Sequence, residues 1–149
     1  MRAVVQRVRE ARVTVAGEAV AEMGAGLLAL VGVARGDGPE DAAALAAKLA
    51  HLRVFEDSEG RMNRSVLDTG GTLAVVSQFT LLGDARQGRR PSFAEAAPPE
   101  LAEPLVEAVA SGARTAGVSV ITGRFRARME LWLVNVGPVT LLLDTRRAF

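Results

Sequence analysis

The sequence predicts an α+β fold whose sheet is largely antiparallel or closed into a barrel. Many short segments alternate or run continuously apolar as strands do, whereas only two stretches repeat apolar residues with helical spacing. Those two helices do not alternate with strands in the strict order of a βαβ fold. No linker, internal repeat or low-complexity segment interrupts the 149 residues, so residues 1–149 read as a single domain.

Each element follows in order. RAVVQRV reads as a strand, and ARVTVAGEAVAEM as a hairpin turned at Ala16-Gly17. The apolar run GLLALVGV fits a central strand. GDGPEDAAALAAKLAHL is helical: Pro39 suits the first position, Glu40 and Asp41 the positive end, and Leu45, Leu49 and Leu52 share a face. His51 falls beside that stripe, as a solvated helix-end residue. RVFED and GTLAVVSQFTLL are expected strands, separated by the turn-rich DSEGRMNRS and DTGG. GDARQGRRPSFAEAAPP reads as a long loop. A second helix is expected from Glu103 to Ala116, with Pro104 acceptable only in its first turn and Gly117 ending it. VSVITGRFRARMELWLVN returns to strand alternation, and LWLVNVGPVTLLLD closes the chain. Gly137-Pro138 interrupts that last strand with the two residues least suited to a ladder, which marks either a plain corner or a backbone with a job.

Composition narrows the chemistry. There is no cysteine, which excludes thiolate catalysis, thiolate metal sites and disulfides. His51 is the only histidine, tyrosine is absent, and no compact carboxylate cluster suggests a metal site, so no cofactor is expected. The apolar runs are too short to span a bilayer and the N-terminus has no signal-like h-region, so a cytoplasmic protein without membrane partners is expected. The net charge of +1 creates no global field for a polyanion. Lys48 is nevertheless the only lysine; all other basic residues are arginine, the better bidentate ligand of phosphate.

Two groups of residues carry candidate chemistry. SQFTL ends an apolar strand with two hydroxyls and an amide, Ser77, Phe79 and Leu81 pointing one way and Gln78 and Thr80 the other. A hydroxyl nucleophile needs a base, which this chain scarcely offers, so on residue types alone those groups are more often structural than catalytic. The arginines cluster at Arg86, Arg89 and Arg90, and at Arg124, Arg126 and Arg128. On a strand the second set shares one face at roughly 6.6 Å intervals. That suits successive phosphates of an RNA backbone as well as it suits a solvated face. No P-loop or dinucleotide fingerprint is present.

The segments MRAVVQRV, GLLALVGVARGD, RVFEDSEGRMNRS, VVSQFTLLGDARQGRRPSF, TGRF-x-A-x-M and LVNVGPVT occur in the order seen in D-aminoacyl-tRNA deacylases, and the chain resembles that family over its whole length. The resemblance implies a barrel-like, largely antiparallel sheet with flanking helices, a homodimer, and hydrolysis of the ester joining a D-amino acid to tRNA. It places Ser77, Gln78, Phe79 and Thr80 around the scissile ester, with Met129 in the pocket. It makes Gly137 and Pro138 a Gly-cis-Pro element that enters the partner subunit's pocket and rejects L-amino acids. An X–Pro bond gives up only ~0.5–1 kcal/mol of trans preference, so the cis form is accessible there. Glycine has no side chain to reject, so glycyl-tRNA is an expected second substrate. The expected mechanism is RNA-assisted attack by water rather than an acyl-enzyme on Thr80. Aminoacyl-tRNA is the expected macromolecular partner, and DNA is not; all six clustered arginines are candidate tRNA contacts. Three positions depart from the family, which usually has glycine at Arg126, a His or Asp-like residue near Arg128, and an acidic residue at Val136. A non-catalytic tRNA-binding module and a purely structural dimer are the competing functions.

Overall fold

In the computed structural model, which describes residues 1–149, strand β1 (Arg2–Val15) is the spine of the sheet. Its hairpin partner β2 (Glu18–Met23) follows a turn in which both Ala16 (φ 51°) and Gly17 (φ 80°) lie at positive φ, the signature of a type I′ connection. Strand β3 (Gly26–Gly32) pairs antiparallel with the first half of β1. The last strand of the chain, Met129–Asp144, pairs antiparallel with β1 along its other edge from Arg2 to Val15.

Helix α1 (Pro39–His51) begins with Pro39 as its first residue, and the Asp41 carboxylate accepts from the Gly38 N–H at 3.0 Å. It buries Ala42, Leu45, Ala46, Leu49 and Ala50; Leu52, expected on this stripe, falls just past the helix end. The stretch read as turns contains a small hairpin, β4 (Phe55–Glu56) and β5 (Met62–Arg64). A one-turn helix α2 (Val66–Thr69) follows, capped reciprocally by Ser65 and Asp68. Its signature, SVLD, was readable in the sequence.

Strand β6 (Thr72–Ser77) runs parallel to β3, and β7 (Ser119–Thr122) parallel to β6. Helix α3 (Pro99–Thr115) connects them, and with α1 it makes the crossovers that parallel neighbours require. The final strand is therefore β8. Three strand pairings are antiparallel and two parallel, and the sheet curls into a nearly closed, barrel-like shape with the helices against one side.

Two apolar clusters fill the two faces. Leu27, Ala29, Val31, Leu73 and Val75 face α1 and α3, while Leu28, Ala74 and Val76 face the inside of the curl with Val8, Ala11 and Val13. This explains why the β3 and β6 segments are apolar without alternation: both faces are buried. The helices approach closely at Gly112, where a Cβ would lie 2.8 Å from that of Ala46.

Three expectations require correction. Helix α3 starts at Pro99, four residues before the expected Glu103, so Pro104 lies beyond its first turn. Pro98 accepts from the N–H groups of Leu101 and Ala102, both at 3.0 Å, and burial of Ala102 anchors the added turn. The β6 segment does not continue through SQFTL: the Gln78 N–H donates to Val31 at 2.8 Å, and Phe79–Leu82 then wind into a 3₁₀ turn. That turn buries Leu82 against Gly32, where a Cβ would approach within 2.6 Å. Residues 123–128 form a turn rather than a strand, with Ala127 N–H donating to Arg124 at 3.1 Å to reverse the chain into β8. Arg124, Arg126 and Arg128 are all exposed but do not lie on a strand face.

Candidate active site

The end of β6 opens into a cavity of about 630 Å³, lined mostly by apolar side chains. Ser77, Gln78 and Phe79 form one wall, Met129 and Leu131 from β8 another, and Phe125 and Arg126 the rim between them. Phe93 closes the outer side, its ring meeting Phe79 edge-on at a centroid distance of 5.1 Å and 68° between planes. The long segment carrying Phe93 is held in place. Asp84 and Ser92 exchange two backbone hydrogen bonds of 2.8 Å, Ala97 N–H donates to Val33 at 2.9 Å, and Arg35 N–H donates to Glu95 at 2.8 Å.

Arg126 is the only charged residue lining the cavity; there is no carboxylate, imidazole or amine. His51 lies elsewhere, in a shallow depression beside Lys48 and Arg53. Thr80 is exposed at the edge of the 3₁₀ turn, where its hydroxyl accepts a hydrogen bond from the Gln78 amide. The first N–H groups of a helical turn have no partner inside it, and Phe79 and Thr80 occupy those positions. The cavity thus offers hydroxyl, amide and backbone donors without a side-chain base.

The arginines divide. Arg86 is engaged: its guanidinium and backbone N–H donate to Asp84 and hold that carboxyl well below the usual carboxylate range. Arg89 and Arg90 are exposed on the same segment without a carboxylate partner. Arg124 borders a neighbouring depression beside Glu100, Glu103 and Glu107, and Arg128 is exposed outside both.

Gly137 and Pro138 do not line this cavity. They sit exposed on β8, joined by a cis peptide, where five steps along β8 (Asn135 to Thr140) match two along β1 (Val8 to Gln6). The looped-out backbone is clamped from two sides. Arg7 donates through Nε to the Val136 carbonyl at 3.2 Å and through Nη1 to Val54 at 2.7 Å. Asn135 Nδ2 donates to the Val139 carbonyl at 3.0 Å. Because Val136 is held by its carbonyl, the corner has an anchor that is indifferent to the side chain at that position. Gly137 has φ +115°, and a Cβ there would stand 2.8 Å from Arg7 Nη2.

Arg7 escaped the sequence reading, and Asn135, though part of the LVNVGPVT segment, was given no role there. The signal for Arg7 was its phase: it follows Ala3 and Val5 on the buried side of β1 and is the one arginine in the core.

Fold and cavity together define a barrel-like α+β domain whose pocket is built from strand ends and backbone instead of an acid–base side chain. The family model described as D-Tyr-tRNA(Tyr) deacylase matches residues 4–144, and the chain belongs to that family. It is 60% identical over 149 residues, the full length of both chains, to the D-aminoacyl-tRNA deacylase of Anaeromyxobacter dehalogenans. It is 56% identical to that of Heliobacterium modesticaldum over 146 residues, covering 98% of this chain and 97% of the relative. Among solved structures it is similar to a c-Myc DNA unwinding element binding protein, with a TM-score of 0.90, 36% identity, and 97% and 98% of the two chains covered. A probable eukaryotic D-amino acid tRNA deacylase shares the fold at a TM-score of 0.84 and 18% identity, over 96% of this chain and 98% of that one.

Proposed function

We propose that this protein is a homodimeric hydrolase of D-aminoacyl-tRNA. Water attacks the ester carbonyl carbon, the bond to the ribose oxygen breaks, and that oxygen leaves with a proton relayed by the neighbouring ribose hydroxyl. The observation carrying this reading is the cavity of about 630 Å³ that holds Ser77, Gln78 and Phe79 yet no base. An aminoacyl ester is already activated by its α-ammonium and brings its own hydroxyl, so it is a substrate such a cavity can process. Backbone donors at Phe79 and Thr80 stabilise the oxyanion, at roughly 10²–10³ in rate per donor.

Chirality is read by the Gly137-Pro138 corner of the partner subunit. Two features support action in trans. The corner is exposed and clamped, but does not line the cavity of its own chain. Trp132, Val136, Leu141 and Leu142 expose large apolar side chains on β8, which is paired along only one edge. An exposed apolar edge strand of this length is a surface that a second copy covers. Glycyl-tRNA, with no side chain to exclude, is a second substrate. Arg89, Arg90, Arg124 and Arg128, exposed on the surface beyond the cavity lining, add phosphate contacts to the rest of the tRNA.

The test incubates the protein with D-tyrosyl-tRNA, L-tyrosyl-tRNA and glycyl-tRNA and follows the free amino acid. Release from the D and glycyl forms with the L form intact is expected. Protection of the D ester without release would make the chain a tRNA-binding module. Light scattering under the same conditions is expected to give a dimer, and an active monomer would end the cross-subunit reading.

A further inference from the structure

Residues 124–127 form the tight turn closed by Ala127 and Arg124, and its third residue, Arg126, has φ +62° while Phe125 before it does not enter the positive region. This is the pattern of a type II turn, whose third position calls for glycine or asparagine. A long L side chain occupies that region rarely and at a backbone cost. Phe125, half-buried beside it, packs against the core beneath the helices and also lines the cavity.

Packing does not demand arginine at this position. The side chain is exposed and forms no ion pair within the chain. It is nonetheless the single charge at the rim of an otherwise uncharged cavity. The aminoacyl end of the substrate carries an α-ammonium, which a guanidinium repels. The nearest negative charge the substrate brings to the rim is the phosphate of its terminal nucleotide. We propose that Arg126 grips this phosphate and so sets how deeply the 3′-terminal adenosine enters the cavity. The inference rests on reading the cavity as an aminoacyl-tRNA site.

The test compares the parent protein with Arg126→Gly on three D-tyrosyl esters: tRNA, adenosine, and adenosine 5′-monophosphate. On tRNA the variant is expected to lose about tenfold in kcat/KM, mostly through KM, with the salt dependence flattened by about one phosphate. The deficit should vanish on the adenosine ester and return on its 5′-phosphate. Arg126→Lys should recover part of it. The melting temperature of Arg126→Gly should rise by about 2–4 °C, because glycine relieves the turn. An equal loss on all three esters, no loss on tRNA, or a lower melting temperature would overturn the assignment. If the parent releases nothing from any D ester, the reading of the cavity falls first and this inference with it.

Discussion

The cavity wall at the end of β6 and the corner in β8 are built in opposite ways. At Gln78 a strand gives out: the parallel ladder ends, the chain winds into a 3₁₀ turn, and the half-buried Gln78 amide donates to the exposed Thr80 hydroxyl. At Gly137 a strand carries on: β8 pairs with β1 on both sides of the interruption, and side chains from two strands hold the displaced backbone. One region offers donors whose positions follow from the turn itself. The other offers acceptors whose positions depend on Arg7 and Asn135. Removing a single group should therefore cost little at the wall and much at the corner.

The largest effect is expected from Gly137→Val. Its Cβ would meet Arg7 Nη2 at 2.8 Å and the Val139 side chain at 2.9 Å, at a φ that a β-branched residue does not adopt. Relief requires the corner to move by an ångström or so, and misplacement on that scale costs about 10² in rate. Hydrolysis of D-tyrosyl-tRNA should fall at least that far while circular dichroism still reports the sheet. Arg7→Ala comes next, leaving the carbonyls of Val54 and Val136 without their donor and a buried space behind. Urea unfolding should show a loss of about 2–4 kcal/mol, and rejection of L-tyrosyl-tRNA should weaken. Arg7→Lys should recover little, since a single ammonium does not reproduce the fork that spans both carbonyls. Parent-like stability and selectivity in Arg7→Ala would mean that β8 holds the corner unaided.

The same contrast governs what could be read from the chain. The Ala16-Gly17 hairpin, the β3 run and α1 were legible because local chemistry and tertiary packing agree there. The parallel neighbours β3, β6 and β7 were not, since continuous apolar runs reveal burial on both faces but not partner or direction. SQFTL was misread as a strand: Leu82 has to turn inward against Gly32, a tertiary demand that alternation does not record. The alternation of TGRFRARM misled similarly, because its turn keeps Phe125 and Ala127 half-buried and the arginines exposed without any strand pairing. At the corner, the Gly-Pro pair was conspicuous while its clamp was hidden. Arg7 lies about 130 residues away in sequence, and only its place on the buried face of β1 betrayed it.

At the wall, Ser77→Ala and Thr80→Ala are each expected to lower kcat by less than about 10²-fold, with Thr80→Ala the milder. No carboxylate, imidazole or amine lines the cavity to take a proton from either hydroxyl. Removing an obligatory nucleophile costs far more than removing a lining group. Trapping an aminoacyl group covalently on Thr80, or a loss beyond about 10³-fold, would replace water by Thr80 as the attacking group.

The smallest effect should come from a contact remote from both regions. Thr145 Oγ1 donates to Asp41 at 2.6 Å, and this hydrogen bond is the main reason the Asp41 carboxyl is held below its ordinary value of 3.8. A depressed carboxylate binds its proton less readily folded than unfolded. Its contribution is therefore complete above the unfolded value and is lost as pH falls through the lower, folded one. Thr145→Val removes this donor and also the hydroxyl to which the Met1 ammonium donates at 2.6 Å, although that ammonium keeps Asp37 at 3.0 Å. The melting temperature should fall by about 2–4 °C at pH 7, the response of a domain this size to roughly 1 kcal/mol. The gap between variant and parent should persist down to about pH 5 and then narrow, because below both values the carboxyl is protonated whether or not Thr145 is there. Hydrolysis at pH 7 should be unchanged, in contrast to any substitution that disturbs the corner. A gap that stays constant to pH 2 would show that Thr145 acts through packing or through the Met1 ammonium, and not through the charge of Asp41.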